Sequence, residues 1–219
     1  QKGEKGQKGE KGQKGEKGQK GEKGQKGVPG TASSGIVVGT NGQDLAESNP
    51  AGTPTGREYR VASNNAASPT IIPFLTSADF QSGTLYTLES DGSAITANGS
   101  ANTQITLTVS IDNEANFGFH IFAWVQRYTG GSWQEVTGTR LAIYIGESTN
   151  GSYHNLFETH TTQTYLSVAN GEKFRIVAYK LNTTSEVRII NNSNGVTNLK
   201  LHDLLGGAVG QKGQKGEKG

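Results

Sequence analysis

The stretch QKGEKGQKGEKGQKGEKGQKGEKGQKGVPG, residues 1–30, decides how this chain is built. Glycine stands at every third position, Gly3, Gly6, Gly9, Gly12, Gly15, Gly18, Gly21, Gly24, Gly27 and Gly30, and the period resumes near the other end at Gly207, Gly210, Gly213, Gly216 and Gly219. Three extended chains wound about one axis leave room only for a hydrogen where each chain crosses that axis, so the spacing predicts a triple helix of the collagen type. Three chains are needed, and the functional protein is expected to be a homotrimer. At about 3.1 Å per residue the first segment would reach roughly 90 Å.

The remaining positions of the repeat carry charge. The unit is Gly-Gln-Lys-Gly-Glu-Lys, and Pro29 is the one proline within residues 1–30. Hydroxyproline therefore cannot hold these strands together. The stagger of a triple helix can instead set a lysine of one strand beside a glutamate of the next: Lys2 with Glu4, Lys8 with Glu10, Lys14 with Glu16, Lys20 with Glu22, and Lys215 with Glu217. One exposed ion pair contributes only about 0–1 kcal/mol, but three chains repeat each pair. Such polar composition also suits a disordered tail, yet disorder gives no reason for a period without a slip. A nucleic-acid tract is excluded as well, because residues 1–30 hold no aromatic side chain on which a base could stack.

The segment between the repeats differs in composition. The whole chain carries a formal charge of +2, while residues 31–206 hold 9 basic and 14 acidic residues, a net of −5. That length suffices for one domain with a sizeable core. Cysteine is absent, so no disulfide joins the chains. Methionine is absent too, no signal peptide or membrane-spanning stretch is visible, and the start at Gln1 lies inside a repeat, so the sequence is expected to be part of a longer polypeptide. The expected division is a triple helix over 1–30, a stalk and loop over 31–56, a β domain over 57–206, and a second triple helix over 207–219.

Val, Ile, Thr, Phe and Tyr gather in short runs between Gly, Asn, Asp and Ser clusters, and no ten-residue stretch keeps a helical period, so the domain is expected to be all-β. Strands are expected at Glu58–Ala62, Thr70–Leu75, Thr84–Glu89, Gln104–Ile111, Gly118–Tyr128, Ser132–Val136, Arg140–Ile145, Asn155–Thr161, Gln163–Val168, Lys173–Lys180, Glu186–Ile190 and Thr197–Leu201. Ile105, Leu107, Val109 and Ile111 alternate with Thr106, Thr108 and Ser110, as in a strand with one wet face. Phe117, Phe119, Ile121, Ala123 and Val125 are instead backed by Phe122, Trp124 and Tyr128, and Leu141, Ile143 and Ile145 by Tyr144. A strand apolar on both faces must be covered on both. Phe122, Trp124, Tyr128 and Tyr144 are therefore expected to meet sister subunits of the trimer; the plainer alternative is a central strand with a few surface aromatics.

Chemistry is sparse. There is no HExxH, paired His/Cys spacing or Gly-x-Ser-x-Gly elbow, no pair of carboxylates announces a sugar hydrolase, and neither enzymatic activity nor a cofactor is expected. His154, Glu158 and His160 share parity but are too spread to form a metal site in one chain; His154 or His160 would hold an ion only by meeting its own copies on a threefold axis. Trp133, after Gly130-Gly131, and Tyr153, after Asn150-Gly151, lie at loop edges where they could stack on sugar rings or, alternatively, cap the core.

The run TYLSVANGEKFRIVAYK, Thr164–Lys180, followed by Glu186–Ile190 and LKLHDL, resembles the end of the tumour-necrosis-factor-like and complement-head jelly rolls, and GFHIFAWV, Gly118–Val125, resembles one of their inner strands. This resemblance implies a trimeric jelly-roll sandwich over residues 84–203. The Gln-Lys-Gly-Glu-Lys repeat interrupted by a β module resembles the collagen-like fibre proteins of tailed bacteriophages, particularly those of marine bacteria. That second resemblance implies an extracellular virion fibre, of tail or capsid, that contacts other virion structural proteins and a host-surface glycan, with no nucleic-acid partner and no membrane insertion. The alternative is a collagen-stalked recognition protein of complement or cytokine type, secreted from or held on a cell.

Overall fold

The computed structural model describes Gly3 and residues 34–41, 57–113, 119–145, 156–181, 187–191 and 195–204. The chain divides into two units, Thr31–Ala208 in one and Gln1–Gly30 with Val209–Gly219 in the other. Apart from Gly3, every described residue belongs to Thr31–Ala208. The other triplet glycines lie outside the described residues. So do the members of the expected interchain ion pairs, Lys2 and Glu4, Lys8 and Glu10, Lys14 and Glu16, Lys20 and Glu22, Lys215 and Glu217.

The described residues form strands and no helix. In chain order these are β1 (Gly35–Gly39), β2 (Arg57–Arg60), β3 (Thr70–Ile72), β4 (Phe80–Ser82), β5 (Tyr86–Leu88), β6 (Ile95–Ala97) and β7 (Ala101–Asn113), then β8 (Phe119–Thr129), β9 (Ser132–Glu135), β10 (Leu141–Ile145), β11 (Leu156–Val168), β12 (Lys173–Leu181), β13 (Val187–Asn191) and β14 (Asn198–Asp203). All pairings are antiparallel, in two sheets. One contains the order β1-β14-β7-β11, the other β6-β12-β8-β10. The chain passes between sheets at β2 to β3, β3 to β4, β4 to β5, β6 to β7, β7 to β8, β10 to β11, β11 to β12 and β12 to β13, and the last four crossings give the Greek-key winding of a jelly roll.

Period-two alternation places the core between the sheets. Ile36 and Val38 of β1, Ile105, Leu107, Val109 and Ile111 of β7, and Leu199 and Leu201 of β14 are fully buried. They meet Phe119, Ile121, Ala123 and Val125 of β8 and Phe174, Ile176 and Ala178 of β12 in one continuous cluster. The alternation expected for β7 is thus present, with one exception: Ser110, on the outward parity, is also buried.

Ser110 is buried because of how β7 is edged. One side of β7 pairs with β11 along its whole length, but the other is shared end to end by β14 and β13. Where those two strands part, Thr197 substitutes for the missing ladder: its hydroxyl accepts from the Ser110 N–H at 2.9 Å and donates to the Ser110 carbonyl at 3.3 Å. Gly195 lies against the same residue, and a Cβ there would stand 2.6 Å from Ser110 Cβ. The second sheet repeats the device. β8 pairs with β12 on one side and with β10 and β9 end to end on the other, and at the gap the Thr139 hydroxyl accepts from the Val125 N–H at 3.0 Å and donates to the Val136 carbonyl at 2.7 Å. Thr139 and Thr197 are both completely buried. Thr197→Val and Thr139→Val are each expected to destabilise the domain by about 1–3 kcal/mol, since either leaves buried backbone groups without partners. Denaturant unfolding checks this, with Thr161→Val on an exposed strand position as the control expected to stay within about 0.5 kcal/mol.

Three expectations about elements are corrected. The 31–56 segment is not all stalk and loop, because Gly35–Gly39 is an interior strand between β14 and β4. The strands expected over Asn155–Thr161 and Gln163–Val168 are one strand, β11, held continuously along β7. Finally, β4 and β6 were not anticipated; each spans three residues and owes its form to a neighbour, β1 for one and β5 with β12 for the other.

Candidate functional site

The outward face of the second sheet concentrates the aromatic side chains. Strand register sets them in rows across it: Leu181, His120 and Tyr144, then Tyr179, Phe122 and Ala142, then Val177 beside Trp124, then Arg175, Gln126 and Glu135, and last Lys173, Tyr128 and Trp133. These residues share the parity opposite to the core residues of β8 and β12.

At one end the rings stack. Phe122 and Tyr179 lie nearly parallel with centroids 4.8 Å apart, Trp124 meets Tyr179 edge-on at 5.8 Å, and His120 sits 4.8 Å from Tyr144. Tyr144 is 56% exposed, and Ile71 of β3, which pairs with Val177, is 44% exposed. Trp124 behaves differently. The Arg140 guanidinium lies over its ring at 4.2 Å, and only 2% of the residue is exposed. Arg140 is fixed by a fork onto the Glu135 carboxylate, with Nε donating to Oε1 at 3.0 Å and Nη2 to Oε2. That hydrogen bonding raises the Arg140 pKa above its ordinary value. Trp124 is therefore covered within its own chain and offers almost no surface for the contact expected of it, while Phe122 is half-buried beside it and Tyr144 is exposed. Its buried indole N–H finds no acceptor among the described residues.

The other end is built by a tight hairpin. Gly130 and Gly131 take φ of 58° and 86°, positive at both central positions as a type I′ turn requires, so glycine is the residue that forms it without strain. The turn sets Thr129 opposite Ser132 and so Tyr128 opposite Trp133, whose rings tilt at 56° with centroids 5.3 Å apart. From β12, Arg175 reaches across β8 until its guanidinium carbon lies 3.9 Å from the centre of the Trp133 ring. Its Nε and Nη2 both donate to Gln126 Oε1, at 2.9 and 2.8 Å. Burial lowers the Arg175 pKa. Tyr128, expected with Phe122 and Tyr144 as a subunit contact, thus belongs to a separate cluster; eight residues of strand, roughly 27 Å, separate it from His120.

Of the two ring-stacking candidates, Trp133 is in this cluster, and Tyr153 lies outside the described residues. His154 does too. His160 Nε2 and Glu158 Oε2 are 2.9 Å apart on β11, and no group of three or more His, Asp or Glu able to hold a metal ion occurs among the described residues. Residues that the sequence reading passed over are Arg175, Gln126, Glu135, Arg140 and Tyr179. Parity with Phe122 and Trp124 on the paired strand was the signal for Tyr179, but the reach of the arginines across strands has no counterpart in local spacing.

No protein-family model and no curated protein sequence matches the chain. Among solved structures it is similar in shape to the Eiger TNF of S. frugiperda, at TM-score 0.48 and 10% identity, over 78% of this chain and 93% of that one. It is likewise similar to murine APRIL in a crystal structure at pH 8.0, at TM-score 0.49 and 10% identity, over 78% of this chain and 99% of that one.

Proposed function

We propose that this chain is a module of a homotrimeric, non-enzymatic virion fibre, in which the jelly roll clamps and registers the collagen-like rods that flank it and presents a surface to the host envelope. The observation that carries the reading is the unbroken glycine period on both sides of the β domain, since a side chain on the axis is what a triple helix cannot accept. Bringing three chain ends into register is entropically unfavourable, and a β domain that trimerises makes it an intramolecular event. The likeness of Thr164–Lys180 to the trimer-forming TNF-like heads supports such a role. The exposed Tyr144 and Ile71, with the half-buried Phe122, form the surface we assign to the neighbouring subunit. Virion structural proteins are the further partners in this reading, and three copies of each surface cluster would let weak host contacts add through avidity.

Sedimentation equilibrium of the full chain tests the assembly, with three times the 23.1 kDa chain mass as the expected result. Circular dichroism should show a cooperative polyproline-type transition whose midpoint falls as salt is raised, because screening acts on the interchain pairs that Glu4, Glu10, Glu16, Glu22 and Glu217 make with lysines in this reading. A single-chain mass with no such transition would overturn the fibre reading. Antibody against residues 31–206, imaged on whole particles, tests location: label on a viral appendage is expected, whereas label on a cell surface would favour the collagen-stalked recognition protein.

A further inference from the structure

Cations on the outward face around Tyr128 and Trp133 each meet a carboxylate, with one exception among the described residues. Lys173 Nζ is 2.9 Å from Glu89 Oε1, with Asp91 also acting on it electrostatically, and Glu135 holds Arg140. Arg175 has no carboxylate at ion-pair distance among the described residues; its partners are the neutral Gln126 amide and the Trp133 ring. A half-buried cation pays desolvation that an amide oxygen and a ring face offset only in part. The two bonds to one oxygen hold the guanidinium plane over the indole and leave Nη1 without a partner among the described residues, a preset orientation suited to a planar oxyanion.

Beside this cation lies an apolar platform. Tyr128 is 36% exposed next to Trp133, and flat aromatic surface with a few fixed polar groups is the usual make-up of a small-ligand site. One cation without a carboxylate partner among the described residues does not suit a nucleic acid, which needs several phosphate-directed cations. It suits a ligand with one acid group and an apolar C–H face. We infer that Arg175, Tyr128 and Trp133 form a binding site for a carboxylated sugar, with Arg175 taking the acid group and the Tyr128 ring taking the pyranose face. The inference rests on the proposed contact with a host-surface glycan and narrows it to an acidic one.

Trigalacturonate and the neutral maltotriose are the probes, titrated against the full chain by tryptophan fluorescence. The chain has two tryptophans and Trp124 is buried, so acrylamide quenching reports chiefly on Trp133. Trigalacturonate is expected to protect this emission at a concentration about tenfold below that of maltotriose, to lose the advantage in high salt, and to be weakened about tenfold or more by Arg175→Gln. Equal protection by both sugars, indifferent to Arg175→Gln, would overturn the acidic assignment while leaving glycan contact standing. No protection by either would remove the site and the glycan contact together, with trimerisation judged separately by sedimentation. If Arg175→Gln fails to fold, the comparison of the two sugars and the salt dependence on the unaltered protein decide alone.

Discussion

Phe174→Ala is expected to destabilise the β domain by about 3–5 kcal/mol, the range for removing a fully buried aromatic side chain and leaving a cavity. Phe174 is completely buried on β12, within the continuous cluster that joins the two sheets. It also pairs with Ile95 on β6 and with Arg127 on β8, so collapse around the cavity would pull on strands to either side. For a domain of this size the loss corresponds to a fall in thermal midpoint of about 10 °C. Near-ultraviolet circular dichroism during a thermal scan checks it at fixed protein concentration, since a trimer's midpoint depends on concentration. Tyr165→Ala, at a residue 61% exposed, is the control and should move stability by no more than about 0.5 kcal/mol. A Phe174→Ala effect no larger than that of Tyr165→Ala would mean that the two sheets do not enclose this core.

Gly15→Ala is expected to have an equally large but separate effect, on the rods instead of the bead. In the proposed trimer it places three methyl groups where the axis has room for hydrogens, which locally disrupts the triple helix. The polyproline-type transition should fall sharply in midpoint or lose cooperativity, while the unfolding transition of the β domain stays in place. Gln13→Ala, at an outward position of the neighbouring triplet, should leave both transitions nearly unchanged. Equal behaviour of the two variants would sink the triple-helix assignment whatever the mass of the assembly.

Much of the fold was legible along the chain because the relevant constraints are local. Alternation in Ile105–Ile111 and Phe119–Val125 marks core positions that are buried in the structure, and Gly130-Gly131 marks the loop between two strands that the structure closes as a hairpin facing Tyr128 with Trp133. Less of the candidate site could be read. Trp133 was visible as an aromatic at a loop edge, but the partner that gives it chemical meaning, Arg175, lies 42 positions further on and arrives by the pairing of β12 with β8. For a related reason Trp124 is not the contact its outward parity predicts: Arg140, just ahead of β10, reaches over the ring. The GIVVG segment likewise reads as stalk in isolation, since flanking glycines weaken a strand on their own, and pairing with β14 and β4 makes it one.

By itself, the amino-acid order determined the glycine period and with it the prediction of three wound strands, along with the alternation that assigns inward and outward positions on each β strand. Both follow from geometry repeated every two or three residues: Cβ exclusion at an axis and the pleat of an extended backbone. Tertiary structure decided which strands lie side by side, and thereby that Thr197 and Thr139 bridge the gaps in the two sheets, that Arg140 closes over Trp124, and that Arg175 is left on Trp133 with no carboxylate partner among the described residues. Those outcomes depend on lateral pairing between segments tens of residues apart, where the free energy comes from shared burial and completed hydrogen bonds instead of any preference the segments hold alone.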